Sequence, residues 1–199
     1  MLIDIHTHRP TTARTIRTAG IHPWRADETD ARLEAELETL EAAAAAGSID
    51  AVGEIGLDHA CTADRGRQAA LFERQLAIAE RHRLPVVLHV VRAFEEVMHA
   101  LRRHRLAAVI LHGFIGSAQQ AERALSAGCC LSFGERSCRS PRTVEALRIT
   151  PSDRLFIETD ESEIPIEAIC AQVAALRGTT PGALAEAVAA NYEKLFGKQ

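Results

Sequence analysis

Short apolar runs alternate with longer stretches of helical spacing along the whole chain. The runs fall at residues 2–6, 15–21, 49–55, 85–90, 107–111, 129–133 and 154–157. Most are apolar without a break, which is the pattern of strands buried on both faces of a parallel sheet; a half-exposed strand would alternate. Between the runs, apolar residues recur at helical intervals over 30–46, 65–82, 93–104, 117–127, 141–148 and 165–177. A last helix or helix pair covers 181–196. The punctuation agrees, with Ser117 and Ser140-Pro141 as N-terminal signals and Gly47 and Gly128 as stops after helices.

Strand and helix in alternation predict an α/β fold. An open doubly wound sheet and a closed barrel both satisfy that rhythm. The polar residues described below favour the barrel, because they stand at the ends of most of the strands and must meet. The expected architecture is therefore a (β/α) TIM-type barrel, distorted and shortened to about seven strands, with residues 1–199 forming a single domain. One connection is irregular. Too few residues lie between the first two runs for the dozen or so that a parallel crossover needs. Either an extended loop brings the chain back without a helix, or the second strand is antiparallel.

Composition narrows the class without adding to the fold. Hydrophobic residues make up 47% and charged residues 25% of the 199, an ordinary globular profile. No apolar run approaches the roughly 20 residues of a membrane span, and a polar His-x-His at residue 6 leaves no room for a secretory signal. Five scattered cysteines without C-x-x-C spacing predict reduced thiols and a cytoplasmic protein; Cys129 and Cys130, inside an apolar run, read as small core residues. With 23 Lys plus Arg against 27 Asp plus Glu, the net charge of −4 argues against a broad basic surface tracking long nucleic acid. All of those cations except Lys194 and Lys198 are arginine, which together with heavy alanine usage reflects compositional bias more than a ligand.

The candidate chemistry sits at strand ends. In Ile3-Asp4-Ile5-His6-Thr7-His8, strand alternation puts both histidines on one face, spaced to share an ion. Glu54 interrupts the apolar run of Val52-Gly53-Glu54-Ile55, and a buried carboxylate needs a metal or a cation beside it. His89 follows Val86-Val87-Leu88 and His112 follows Val109-Ile110-Leu111. They lie 23 residues apart, about one strand–helix unit, and so occupy equivalent positions of consecutive units. Asp160 follows Leu155-Phe156-Ile157. A single strand-end histidine is most often structural; six potential ligands in equivalent places form a coherent metal site.

These motifs resemble the TatD family of metal-dependent deoxyribonucleases. The resemblance rests on His6-x-His8, Gly53-Glu54-Ile55-Gly56-Leu57-Asp58, Leu88-His89, His112-Gly113-Phe114-x-Gly116 and Glu158-Thr159-Asp160. It is supported by Gly20-Ile21-His22-Pro23, Gln68-x-x-x-Phe72-x-x-Gln75 and Asn191-Tyr192-x-x-Leu195-Phe196-Gly197. It implies a barrel with two divalent ions (Mg, Zn or Mn) that hydrolyses phosphodiester bonds, typically at a DNA 3′ end. By position, His6, His8, Glu54 and Asp160 would hold one ion and Glu54, His89 and His112 the other. Glu54 would bridge, and Asp160 would double as general base.

The chain also departs from the family pattern. The stretch between the first His pair and Gly20-Ile21-His22-Pro23 is shortened, and Glu161-Ser162-Glu163-Ile164 runs almost directly into a helix where the family has a long loop. Gly113 follows His112 where cysteine is common, His59 stands in an aromatic's place, and Arg92 is displaced by one residue. These changes imply a substrate that is a small phosphodiester or a nucleic-acid end, with no obligate protein partner. His22, His59, Arg92 and Glu135 are further substrate-binding candidates. The competing readings are that His22 is a structural turn, His59 a solvated loop residue and Glu135 a partner of Arg136. His82, His99 and His104 read as surface residues. Two other functions fit parts of the pattern: an amidohydrolase-like enzyme acting on an ester, amide or lactone, and a degenerate barrel without turnover. The first often uses a modified bridging lysine, and no lysine precedes residue 194; the second is disfavoured by the complete ligand set.

Overall fold

In the computed structural model, which describes residues 1–197, the opening run 2–8 is hydrogen-bonded along both edges although it forms no long regular strand. On one edge Asp4 N–H donates to Arg14 C=O at 2.9 Å and Arg14 N–H to Leu2 C=O at 3.1 Å. On the other, Ile5 N–H donates to Ile157 C=O at 3.1 Å, and Asp160 and His8 exchange backbone bonds with His6 and Asp160 at 3.0 Å each. Both pairings are parallel. Ile3, Asp4, Ile5 and His6 are all buried, as expected of a strand covered on both faces. The irregular start is thus resolved in favour of the extended loop: the chain turns back through bends, without a helix, and re-enters parallel.

The chain divides into two units, Arg17–Ile110 and residues 1–16 together with the chain from Leu111 onward. The Arg17–Ile110 unit runs β1 (Thr18–Ala19), a 3-10 turn, α1 (Asp30–Ala45), β2 (Ala51–Asp58), α2 (Arg65–His82), β3 (Val86–Val91) and α3 (Phe94–Leu101). β1 pairs parallel with β2, and β2 parallel with β3, in a register that places Gly56 opposite His89. The expected run 15–21 yields only two paired residues, because Gly20 and His22-Pro23 lead straight into the turn. β2 extends three residues past the apolar run, to Asp58. Its polar end is held by Gln68, whose Oε1 accepts from Asp58 N–H at 2.8 Å and whose Nε2 donates to Asp58 C=O at 3.0 Å. One face of α2 later, Gln75 does the same for Ile21, at 2.6 and 3.0 Å. Both glutamines are buried, so each satisfies backbone groups that would otherwise be stranded away from water.

β4 (Val109–Leu111) carries the chain from the first unit into the second. There follow α4 (Ala118–Ser126), β5 (Cys130–Phe133), α5 (Glu135–Arg139), α6 (Pro141–Ile149), β6 (Leu155–Ile157), α7 (Ile166–Arg177) and α8 (Pro181–Phe196). β5 and β6 pair in parallel, Leu131 against Leu155 and Phe133 against Ile157. Ser117 caps α4 with a full capping box, and Gly47 and Gly128 take the left-handed backbone after their helices. α5 had no apolar periodicity to announce it. The fold is α/β with parallel strands and alternating helices, of the TIM-type barrel class, and the run 2–8 brings the count of six regular strands to seven. Among the described residues all five cysteines are free thiols, and burial pushes the Cys129 thiol up to about 12. No helix of the described residues is long and apolar enough to cross a membrane.

The histidines set apart as surface residues are partly corrected. His99 is exposed, but His82 is half-buried against Glu41 at 2.5 Å. His104 is only 11% exposed and lies between Glu80 (2.9 Å) and Glu73 (3.1 Å).

α1 is clamped to α2 by ion pairs, Glu34 to Arg74 (2.6 Å at the second oxygen) and Glu41 to Arg81 (2.6 Å). Arg74 holds Glu34 below the ordinary carboxylate range, and His82 first and then Arg81 hold Glu41 there; Arg25 does so for Glu28 and Glu36. A depressed folded-state pKa contributes stability that is present above the unfolded value near 4.5 and is lost as pH falls through the folded value. Thermal stability is therefore expected to fall below about pH 4.5, and Arg74→Gln is expected to flatten that decline. An identical pH profile in the variant would remove the Glu34–Arg74 clamp from the account.

Candidate metal centres

In the Arg17–Ile110 unit, the turn after β1 and the middles of β2 and β3 bring together His22, Glu54 and His89, with donor atoms all within 4.8 Å of one another. Glu54 and His89 thus stand inside their strands and not at the strand ends the sequence suggested. Glu54 Oε1 lies 2.6 Å from His89 Nδ1 and 3.3 Å from His22 Nε2. The other ring nitrogen of His89, Nε2, faces Asp58 Oδ2 at 3.2 Å. A neutral imidazole carries one N–H, so it can donate to only one of these two carboxylates. A cation on the second contact would satisfy the other carboxylate. Glu54 is 8% exposed, so its charge has to be balanced close by.

Asp58 is the residue the motif contained without a role. Its Oδ2 accepts the Trp24 indole N–H at 2.6 Å and its Oδ1 the Ala60 backbone N–H at 2.8 Å. Burial works against its charge, yet these donors together with His89 outweigh it and hold Asp58 below its ordinary pKa. It is thereby fixed as an ionised acceptor that orients His89. His59 departs from the solvated-loop reading: its side chain is 5% exposed, packed at the end of β2 with Nε2 3.5 Å from Glu96. Arg92 is exposed after β3 with φ +53°.

In the other unit, residues 2–8, β4 and β6 gather His6, His8, His112, Glu158 and Asp160. His6 and His8 lie on one face, Nε2 to Nε2 at 3.3 Å, and Asp160 Oδ1 is 3.6 Å from His8 Nε2 and 4.0 Å from His6 Nε2. Three acceptor atoms turned to one point make the environment of a cation. His112 packs its ring 4.4 Å from that of His6. Its Nδ1 lies 3.2 Å from Glu158 Oε1, which also accepts Gly113 N–H at 2.5 Å. That contact engages Nδ1, as a carboxylate does behind a metal-binding histidine. Burial opposes the charge of Glu158, and His112 and His6 beside it outweigh burial and hold its pKa below the ordinary range.

Glu158 and Asp4 were not singled out from the sequence. Alternation from Asp160 would have found Glu158, two residues earlier on the same face. Asp4 is fully buried and accepts Thr159 N–H (2.9 Å) and Thr159 Oγ1 (2.7 Å), which ties residues 2–8 to the turn carrying Asp160. Glu135 pairs with Arg139 and with Ser162 Oγ at 2.5 Å, and not with Arg136.

The donor set of each centre is imidazole and carboxylate. The family model for TatD-related DNases matches residues 5–197. A 3′–5′ ssDNA/RNA exonuclease TatD of Erwinia tasmaniensis is 33% identical over 202 residues, which span 90% of this chain and 77% of that protein. YjjV of Escherichia coli K12, an uncharacterized metal-dependent hydrolase, is 36% identical over 152 residues, covering 74% of this chain and 58% of its own. The crystal structure of YjjV superposes with a TM-score of 0.81 at 30% identity, over 93% of this chain and 78% of that one. An uncharacterized amidohydrolase of Saccharomyces cerevisiae reaches the same TM-score at 16% identity and shares the fold. This chain is a metal-dependent hydrolase belonging to the TatD-related DNase family.

Proposed function

We propose that this hydrolase cleaves phosphodiester bonds at DNA ends or in short nucleic-acid fragments, with two divalent ions at its centres. The observation that carries the reading is the turning of His6, His8 and Asp160, and of His22, Glu54 and His89, toward common points. Relatives named as ssDNA/RNA exonucleases support single-stranded ends as the substrate. Within each unit, His6, His8 and Asp160 would hold one ion, and Glu54 and His89, with His22 beside them, the other. When bound, such ions neutralise phosphoryl oxygens and lower the pKa of a nearby water.

The chain's own residues supply the rest. Asp160, 28% exposed, is reachable by water and accepts its proton during attack. Glu158 Oε1 at His112 Nδ1 and Asp58 Oδ2 at His89 Nε2 would orient each ring toward its centre. Arginines near the N-terminus are largely spoken for: Arg9 pairs with Glu163 (3.2 Å), Arg14 with Glu193 (2.7 Å) and Arg17 with Asp50 (2.7 Å). Paired in this way these three add little to counterion displacement, and with a net charge of −4 a small footprint and a shallow salt dependence on duplex are expected. Free thiols suit a reducing compartment, and the cytoplasm is the proposed location.

Elemental analysis of the purified protein should find two divalent ions per chain. With metal restored, bis(p-nitrophenyl) phosphate and single-stranded oligonucleotides should both be hydrolysed, the latter from the 3′ end. One tightly bound ion at saturation would defeat the two-ion form, and hydrolysis of esters or lactones alone would replace the substrate class.

A further inference from the structure

Trp24 is 59% exposed, one of the few large apolar side chains of the described residues open to water. A lone exposed apolar residue needs no explanation, but this one is fixed in place. Its indole N–H, the only polar atom of the ring, donates inward to Asp58 Oδ2 at 2.6 Å. What faces water is therefore carbon surface. The ring stands edge-on to His22, centroids 4.6 Å apart at 80°, and lies 6.2 Å from the ring of His89, also at 80°. Pro23 opens the short helical turn that carries it, and His22 Nδ1 accepts the Trp24 backbone N–H at 3.3 Å, so the backbone is held as well.

We propose that Trp24 is the stacking platform for a nucleobase of the substrate, beside the His22–Glu54–His89 centre. This rests on the nuclease reading above and deepens it. A rigid aromatic face exposed at an anion-binding centre matches how single strands are held: charge takes the phosphate, and a π-face takes the base regardless of its identity. In a nucleotide the base and the phosphate are separated by one sugar, and the ring lies one side chain away from the histidines. Because Asp58 binds both the indole N–H and His89 Nε2, the platform and the centre share one anchor. The substrate class that follows is a strand end with its terminal or penultimate base unpaired, with little preference among the four bases.

The chain contains a single tryptophan, so its intrinsic emission reports on Trp24 alone. The test titrates the metal-loaded full chain with a single-stranded tetranucleotide and with an abasic strand of the same length. Stacking predicts saturable quenching by the first and none by the second at equal concentrations. The abasic strand should also show a KM about ten- to a hundredfold higher. That ratio should fall to near one in Trp24→Ala and persist in Trp24→Phe, which keeps a π-face but loses the N–H to Asp58. If the tetranucleotide is hydrolysed without quenching, or both strands quench alike, Trp24 is not a platform and the nuclease reading stands. If no phosphodiester of any kind is hydrolysed, the nuclease reading fails and takes this substrate assignment with it.

Discussion

Replacing Asp160 by asparagine is expected to lower kcat about 10²- to 10⁴-fold at saturating metal while leaving the fold intact. The residue sits in the left-handed backbone region, φ +53°, where asparagine is tolerated nearly as well as aspartate. Its N–H and C=O bond to His6 and His8 through the backbone, and those bonds survive the substitution. What is lost is a carboxylate oxygen 3.6 Å from His8 Nε2. An amide oxygen still offers lone pairs to an ion but takes no proton at neutral pH, so the proton-accepting role is removed more completely than the ligand role. Alanine would be the poorer test, because a left-handed alanine costs about 1–2 kcal/mol by itself. Melting temperature, metal content and turnover should be measured on one preparation of Asp160→Asn. Near-normal turnover with metal bound would assign the base to another group.

The chain's hydrophobic rhythm made most of the fold legible because each unit repeats one physical problem: bury a strand on both faces, then cover it with a helix. The helix Arg65–His82 spans the same residues as the helical spacing over 65–82. The start was harder. Pairing of residues 2–8 depends on partners at Arg14 and Ile157–Asp160, and a partner far along the chain leaves no local trace in sequence. For the centres, histidine and carboxylate at strand ends carried the signal, since such residues are costly in an apolar run unless something compensates them. The supporting residues carried less. Gln68, Gln75 and Asp4 are buried for the sake of backbone groups that only the folded chain brings near them. His22 looked equally like a turn residue because it is one: Nδ1 caps the Pro23 turn while Nε2 faces Glu54.

Gly56→Ala is expected to cost roughly 2–6 kcal/mol, from about 1–3 for backbone strain and about 1–3 for overpacking. Gly56 has φ +143°, a conformation open to glycine and poorly accessible to any residue with a Cβ. A Cβ placed there would lie 2.0 Å from the carbonyl oxygen of His89, its partner across the β2–β3 pair. Backbone cannot rotate aside as a side chain does, so relief requires β2 and β3 to separate locally. That separation would carry apart Glu54 and His89, now joined at 2.6 Å, and Asp58 and His89, joined at 3.2 Å. The glycine of Glu54-Ile55-Gly56-Leu57-Asp58 is thus where the chain permits two strands to approach closely enough for both carboxylates to reach one histidine. Gly47→Ala provides the comparison: Gly47 also has positive φ, +63°, but a Cβ there meets nothing within 4 Å. It should lose about 1 kcal/mol, the left-handed cost alone. Denaturant unfolding of both variants, with metal affinity measured alongside, separates the two effects. Equal stability losses, with metal affinity retained in Gly56→Ala, would show that the strands accommodate the methyl group and that close approach is not what the glycine provides.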